Sequence, residues 1–129
     1  MDPVSSFKSS GGFRRLAAAA SYSFKGLAAA WRYEASFRQE VVAGALLIPL
    51  AGWLAQSLGQ ALALMGAIVF VWLVELLNSA IEALADAVTI EDRPLIGRAK
   101  DIGSAAVLLS LILAAGVWVG VLWPRLAGG

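Results

Sequence analysis

The sequence of 129 residues contains no cysteine and no histidine. The absence of cysteine excludes disulfides, thiol nucleophiles and Fe–S clusters, and the two absences together exclude Cys/His zinc sites and every Ser-His or Cys-His catalytic pair. Neither a Walker-type phosphate loop nor a kinase glycine loop is present, which excludes a soluble-kinase nucleotide fold. Any chemistry must therefore come from carboxylates, lysine, arginine, asparagine, serine and a bound ion.

Charge is also scarce. Charged residues make up 15% of the chain, against about 25% in an ordinary soluble domain. Hydrophobic residues make up 60%, and the mean hydropathy is +0.77. A compact soluble domain of this length cannot bury so many apolar residues, because small domains keep much of their surface exposed. The composition predicts one small domain with lipid as its solvent, and the net charge of +1 gives no sign of a nucleic-acid partner.

Two long stretches, residues 41–74 and 102–124, carry no charge at all. A membrane-spanning helix needs about 20 apolar residues, so the second stretch predicts one span, residues 102–123. The first is interrupted by a polar, glycine-containing turn at residues 56–60, which predicts two spans, residues 40–55 and 61–86. Pro49 is tolerable in the first of them, because neighbouring helices can satisfy the freed carbonyl.

The N-terminal part predicts an amphipathic helix over residues 13–38 that lies on the inner leaflet, after a mobile tail, residues 1–12. Apolar residues recur there at steps of three and four, as on one helix face: Phe13, Leu16, Ala20, Phe24, Leu27 and Trp31. A secretory signal is the weaker interpretation, because no clean apolar core or cleavage site follows the basic residues. The predicted fold is an all-α membrane protein of one domain, residues 1–129, with a surface helix and three transmembrane helices.

The distribution of basic residues predicts the orientation. Six lysines and arginines precede the first span, three lie between the second and third, and one follows the third. The positive-inside rule therefore places the N-terminus and the 86–101 loop in the cytoplasm and the C-terminus outside. Trp53 and Trp123 fall near the outer boundary, as in an aromatic belt.

The second span carries polar residues that lipid does not tolerate. At about 100° per residue they fall on one helix face: Glu75, Asn78, Ser79, Glu82 and Asp86. An ionisable group facing lipid costs at least ~2.5 kcal/mol, so this face must meet protein, water or ligand. Because Asp86 is predicted to be cytosolic, Glu75 is expected at or just inside the headgroup boundary.

Two further polar clusters, residues 34–40 and 98–104, are cytoplasmic in this topology. Carboxylates are ligands for Mg²⁺, lysine binds phosphate, and a carboxylate among apolar side chains can act as a general base. Each cluster alone could instead be interhelical hydrogen bonding or an interfacial ion pair. Three clusters on one membrane side favour a functional site.

Three segments, AWRYEASFRQE (30–40), VELLNSAIE (74–82) and GRAKDIGSAAV (97–107), resemble the small prokaryotic integral-membrane diacylglycerol kinases in order and spacing. The resemblance runs from about Phe13 to Trp123. It implies a homotrimer of the bacterial inner membrane with three spans per chain and active sites shared between neighbouring subunits. It also implies phosphorylation of 1,2-diacylglycerol to phosphatidic acid at the cytoplasmic face, with Mg²⁺ as MgATP.

Residue by residue, the resemblance implies three sets of roles. Glu75 resembles the family's general base, and Glu34 and Glu82 resemble its divalent-ion ligands beside ATP. Further ATP-site positions are matched by Arg15, Tyr22, Asn78, Lys100 and Asp101. Positions of the lipid substrate site are matched by Arg38, Gln39, Glu40, Trp53 and Ser104, together with Glu75. The linker at residues 89–94 departs from the family pattern.

Other functions remain as alternatives. An undecaprenol kinase would use the same machinery on a longer isoprenoid. A small drug/proton transporter would place its carboxylates nearer the membrane midplane, in a site open to both sides, whereas here they lie at the inner end. A purely structural oligomerising protein leaves the acidic face without a purpose, although Gly116 and Gly120 form a G-x-x-x-G pattern that permits close helix approach.

Overall fold

The computed structural model describes residues 11–128, and this part of the chain consists of four helices. They are α1 (Gly12–Tyr33), α2 (Ala35–Leu54), α3 (Leu58–Val88) and α4 (Pro94–Leu126). The predicted tail, residues 1–12, lies outside the described residues except at its last two positions, and Gly12 already belongs to α1. The protein is therefore all-helical over the described range.

The predicted surface helix 13–38 differs from the structure, because a single extended residue, Glu34, separates α1 from α2. The break leaves carbonyls at the end of α1 without their helical donors. Arg38 supplies the substitute, since its Nη1 donates to the carbonyls of Trp31 (2.8 Å) and Arg32 (3.0 Å). This local hydrogen bonding allows the chain to turn at Glu34 with no glycine or proline there.

The later helices begin earlier than the apolar stretches predict. The polar turn caps α3, because the Ser57 hydroxyl accepts from the backbone N–H of Gln60 at 3.1 Å, so α3 starts at Leu58 rather than at residue 61. It then continues to Val88, and α4 starts at Pro94 rather than at residue 102. Proline suits the first helical position, where its missing N–H costs nothing. Both helices thus extend beyond the apolar stretches into the charged sequence around the linker.

Helix α3 lies between α2 and α4 and carries half of the buried residues in the described part of the chain. Two tryptophans join it to its neighbours through backbone carbonyls. Trp72 Nε1 donates to the carbonyl of Glu40 in α2 at 2.8 Å, and Trp118 Nε1 of α4 donates to the carbonyl of Leu64 at 3.1 Å. Gly44 makes the α2–α3 contact possible, because a Cβ there would lie 2.5 Å from Trp72 Cζ2.

Within residues 11–128, α3 and α4 are the two helices long and apolar enough to cross a membrane. Helix α2 has 20 residues, and its first turns carry Arg38, Gln39 and Glu40, which lower its mean hydropathy. Only 6% of the most apolar stretch of α4 is buried inside the chain. Its apolar surface must therefore be covered by lipid or by other chains.

Candidate active site

The centre of the candidate site is Glu75, a carboxylate buried in the middle of α3 with 4% of its surface exposed. Its electrostatic surroundings are acidic, because Glu40, Glu34 and Glu82 all act on it. Glu82 lies two turns further along α3, whereas Glu34 lies at the hinge after α1 and Glu40 lies in the first turns of α2. The fold therefore brings carboxylates from three parts of the chain to one region.

Glu34 occupies the hinge and is partly buried. Burial raises the pKa of its carboxyl above the ordinary 4.5, and the nearby carboxylates of Glu82 and Asp86 raise it further. A cation between Glu34 and Glu82 would relieve this repulsion. Residues 11–128 contain no group of three acidic side chains close enough to hold a metal ion. A hard cation bound here would thus need oxygen ligands from another molecule, which is how Mg²⁺ binds when it accompanies phosphates.

A groove of about 660 Å³ runs between α1 and α3 beside Glu34. Its walls are mainly apolar and are supplied by Leu27, Ala30 and Leu76, with Ser79 as a polar residue of the α3 wall. An apolar groove that reaches a carboxylate suits an amphiphilic molecule, whose apolar part and polar end need different surroundings.

Lys100 lies on the other side of the linker, in the second turn of α4. Its Nζ is 2.7 Å from Asp86 Oδ1 at the end of α3, and both side chains remain partly exposed. The linker itself carries a further ion pair, Arg93 with Glu91 at 3.3 Å. Lys100, which the sequence predicts to bind phosphate, therefore already has an anionic partner in Asp86. The sequence analysis placed Asp86 on the acidic face of the helix but gave it no role in the site.

The predicted lipid-site residues are not all brought together within one chain. The guanidinium of Arg38 is engaged by the carbonyls of α1, and the Glu40 carbonyl accepts from Trp72. Trp53 is 80% exposed near the far end of α2, about 28 Å from Glu34 at helical rise. The side chains of Gln39 and Ser104 are exposed.

The predicted nucleotide residues are likewise spread out. Arg15 and Tyr22 lie in the first half of α1, about 28 Å and 18 Å before Glu34 at helical rise. Lys25 Nζ is 5.6 Å from the centroid of the Tyr22 ring, which is a cation–π contact. Asp101 is exposed beside Lys100 on α4. A single chain therefore does not bring the first half of α1 to the acidic residues around Glu34.

Asn78 is the predicted ATP residue with the most confined position. Its Oδ1 is fully buried and makes no hydrogen bond to the described residues. It lies against Gly103 of α4, at which a Cβ would overlap it. The role of Gly103 was missed from the sequence, because the contact depends on how α3 and α4 pack, and a glycine next to a polar cluster is only a weak signal.

The described residues form an all-helical protein with two helices apolar enough to cross a membrane and with an acidic centre around Glu75. A protein-family model described as prokaryotic diacylglycerol kinase matches residues 21–122. The diacylglycerol kinase of Escherichia coli (strain K12) is 49% identical over 114 residues, which cover 88% of this chain and 93% of that protein. The diacylglycerol kinase of Pseudomonas aeruginosa is 42% identical over 118 residues, which cover 92% and 96%. The diacylglycerol kinase of Haemophilus influenzae is 37% identical over 112 residues, which cover 87% and 95%.

The chain belongs to the prokaryotic diacylglycerol kinase family. It is therefore a lipid kinase, and its apolar helices place it in a membrane.

Proposed function

We propose that this chain transfers the γ-phosphoryl group of MgATP to the primary hydroxyl of 1,2-diacylglycerol and so forms phosphatidic acid and ADP. The observation that carries this proposal is the buried carboxylate of Glu75 with Glu34 and Glu82 close enough to act on it. Phosphoryl transfer is catalysed mostly by positioning and electrostatics, so it does not require a soluble nucleotide-binding fold. The family to which the chain belongs agrees with this chemistry.

The step forms one bond and breaks one. The hydroxyl oxygen of diacylglycerol attacks the γ-phosphorus, the bond from that phosphorus to the β,γ-bridging oxygen breaks, and ADP leaves with the electron pair. Glu75 accepts the hydroxyl proton, as a general base within hydrogen-bond reach would. Its burial in α3 keeps the carboxylate in one position and limits the access of water, which would otherwise compete for the phosphoryl group.

Glu34 and Glu82 fit a divalent ion, because their mutual repulsion favours a bound cation. Since residues 11–128 supply no third acidic ligand to such a site, phosphate oxygens would complete the coordination. When bound, Mg²⁺ offsets the charge of the transferring phosphoryl group. Lys100 is paired with Asp86 in the structure and would bind phosphate as a point charge once released from it. Asn78 and Asp101 complete the part of the ATP site that α3 and α4 supply.

The lipid would occupy the apolar groove beside Glu34, which Leu76 of α3 lines. Its hydroxyl would have to reach past this wall to Glu75, the residue before Leu76. Gln39, Glu40 and Ser104 would flank its polar end, and Arg38 would contribute by holding the hinge that positions Glu34. Trp53, at the far end of α2, would contact acyl chains or neighbouring lipid and not the reacting hydroxyl.

The assembly we propose is a homotrimer with α2, α3 and α4 as its three spans. The exposed apolar surface of α4 and the distance of Arg15 and Tyr22 from Glu34 support it, because a neighbouring chain can bring its own α1 to the acidic centre. The distribution of basic residues supports an orientation with the N-terminus and the linker in the cytoplasm, where ATP is available, and the C-terminus outside.

The test is to incubate membranes containing the protein with labelled ATP and Mg²⁺, adding diacylglycerol or undecaprenol in parallel. Label in phosphatidic acid with diacylglycerol, and little label with undecaprenol, is the expected result. Preferential labelling of undecaprenol would assign the protein to the other lipid. Label in neither lipid, from protein shown to be folded, would overturn the proposed function.

A further inference from the structure

The contact between α3 and α4 next to the acidic centre has a specific steric requirement. A Cβ at Gly103 would overlap Asn78 Oδ1, lie 3.3 Å from Asn78 Cγ and lie 3.8 Å from Ile81 Cδ1. Among the partly or fully buried residues that the structure describes, Asn78 Oδ1 is the side-chain oxygen or nitrogen that is fully buried without a hydrogen-bond partner. The absence of a side chain at Gly103 thus creates the space that the Asn78 carboxamide occupies.

An unpaired buried amide atom is unfavourable, so this arrangement needs a compensating reason. Hydrogen bonding does not hold the carboxamide, and therefore steric confinement against the Gly103 backbone must do so. Asn78 lies one turn after Glu75 and one turn before Glu82 on the same face of α3. A displacement of its side chain would therefore change the surroundings of both carboxylates.

We infer that Gly103 is a positioning residue for nucleotide binding, which acts by leaving the space that fixes the Asn78 carboxamide between the two acidic turns of α3. The inference rests on the proposed function, in which Asn78 contributes to the ATP site. Gly103 itself has no side chain and contacts no substrate; its effect on the reaction passes through Asn78.

Gly103→Ala tests the inference, because the overlapping methyl group would force Asn78 into another rotamer. Alanine is also the better helix former, so α4 should not lose stability through its own helix. We expect kcat/KM for MgATP to fall by about tenfold to a hundredfold, the scale of a small misplacement in an active site, while KM for diacylglycerol changes less. Gly66→Ala in α3 is the matched control, because a Cβ there meets nothing within 4 Å.

Asn78→Ala supplies the second background, because it removes the atoms that the new methyl group would strike. Gly103→Ala should lower kcat/KM in the wild-type background and leave it unchanged in the Asn78→Ala background. The change in Tm that Gly103→Ala causes should also be more favourable in the Asn78→Ala background than in wild type, because only wild type has the clash. This difference measures the contact independently of activity. Equal effects in both backgrounds, or wild-type kinetics for either single variant, would overturn the inference.

The proposed function and this inference fail in different ways. If the wild-type protein does not phosphorylate diacylglycerol, the proposed function is wrong. The coupling between positions 78 and 103 would still follow from the Tm values of four proteins: wild type, the two single variants and the double variant. If the wild-type protein is active and those four values are additive, the proposed function stands and the positioning role of Gly103 is wrong.

Discussion

Glu75 differs from the other acidic residues that the structure describes in the depth of its burial. It is 4% exposed, whereas Glu34 and Glu82 are partly exposed. A carboxylate that only joined helices would need a donor, and no side-chain hydrogen bond or ion pair is formed by Glu75 within residues 11–128. The charged groups that act on its carboxylate are other carboxylates, those of Glu40, Glu34 and Glu82. This placement supports the proposed role of Glu75 in proton transfer over a role in helix association.

Glu75→Gln should therefore leave the fold and MgATP binding intact and slow turnover. Glutamine keeps the size of the side chain but cannot accept a proton at neutral pH. A general base contributes about 10²–10⁴ in rate, so we expect turnover at least about a hundredfold slower. Turnover, MgATP binding and Tm should be measured on one purified sample in lipid. Near-normal turnover in a stable sample would show that Glu75 is not the base.

The raised pKa of Glu34 predicts how the effect of replacing Glu34 on stability depends on pH. A folded-state pKa above the ordinary 4.5 means that folding favours the neutral form of the Glu34 carboxyl. The neutral carboxyl therefore contributes to the free energy of unfolding at low pH, and this contribution is lost as the pH rises through the folded-state pKa. Without cation at neutral pH, Glu34→Gln should thus be at least as stable as wild type, and the difference should shrink on acidification.

Magnesium should reverse this order of stability, so that wild type becomes more stable than Glu34→Gln. Mg²⁺ with a non-hydrolysable ATP analogue should raise the Tm of wild type more than that of Glu34→Gln, because a ligand stabilises the state to which it binds. Glu82→Gln should behave in the same way toward Mg²⁺, and the Mg²⁺ concentration needed for half-maximal activity should rise in both variants. Unchanged Mg²⁺ dependence in both would exclude Glu34 and Glu82 as ligands.

At the scale of helices, the contact between α2 and α3 depends on one small residue. A Cβ at Gly44 would lie 2.5 Å from Trp72 Cζ2 and 2.6 Å from Ile68 Cγ2. Gly44→Ala should displace Trp72 and weaken its 2.8 Å hydrogen bond to the Glu40 carbonyl. Overpacking of this kind costs about 1–3 kcal/mol.

Gly52→Ala is the matched control on the same helix, because its Cβ would lie 3.6 Å from Met65 Cε, an ordinary contact. Both variants gain the same helix propensity, so their difference isolates the Trp72 clash. The free energy of unfolding in detergent or bicelles should be lower for Gly44→Ala by about 1–3 kcal/mol. Equal stability of the two variants would mean that Trp72 repacks without cost.

The number and order of the helices were predictable from sequence, because apolar stretches and one polar turn divide the chain. Their ends were less so. The break at Glu34 depends on a long side chain, Arg38, that reaches back six and seven residues. The charged residues beside the linker are helical, so α3 and α4 extend beyond the apolar stretches.

The same division applies to the candidate site. Helical periodicity alone places Glu75, Asn78 and Glu82 on one face of α3. The Lys100–Asp86 ion pair and the Asn78–Gly103 contact join two helices across the linker. They depend on the rotation and register of α4 against α3, about which periodicity within each helix says nothing.

At the scale of the whole molecule, one chain leaves much apolar helix surface uncovered. Only 6% of the most apolar stretch of α4 is buried, and a Cβ at Gly116 or Gly120 would meet nothing within 4 Å. The first half of α1, with Arg15 and Tyr22, lies far along its helix from Glu34. A ring of identical chains would cover part of this surface and would let α1 of one chain reach the acidic centre of the next.

Shared sites predict that two defective variants can restore each other. Arg15→Ala and Glu75→Gln should each have low activity alone, and a mixed assembly should be more active than either. Some sites in the mixture combine an intact Arg15 from one chain with an intact Glu75 from its neighbour. With random one-to-one mixing, each intact residue is supplied with a chance of one half, so about one quarter of the sites in the ring should be complete.

The measurement is lipid kinase activity of the two variants, co-reconstituted after dissociation and reassembly, against each variant reconstituted alone. Chemical cross-linking in the same bilayers is the control, and its ladder should stop at trimer. A ladder that stops at monomer would exclude the assembly. If cross-linking gives trimers and the mixture is no more active than either variant alone, Arg15 and Glu75 belong to one chain's site, because every chain in the mixture then carries one of the two defects. Helix α1 would in that case have to fold back over its own α3 when ATP binds.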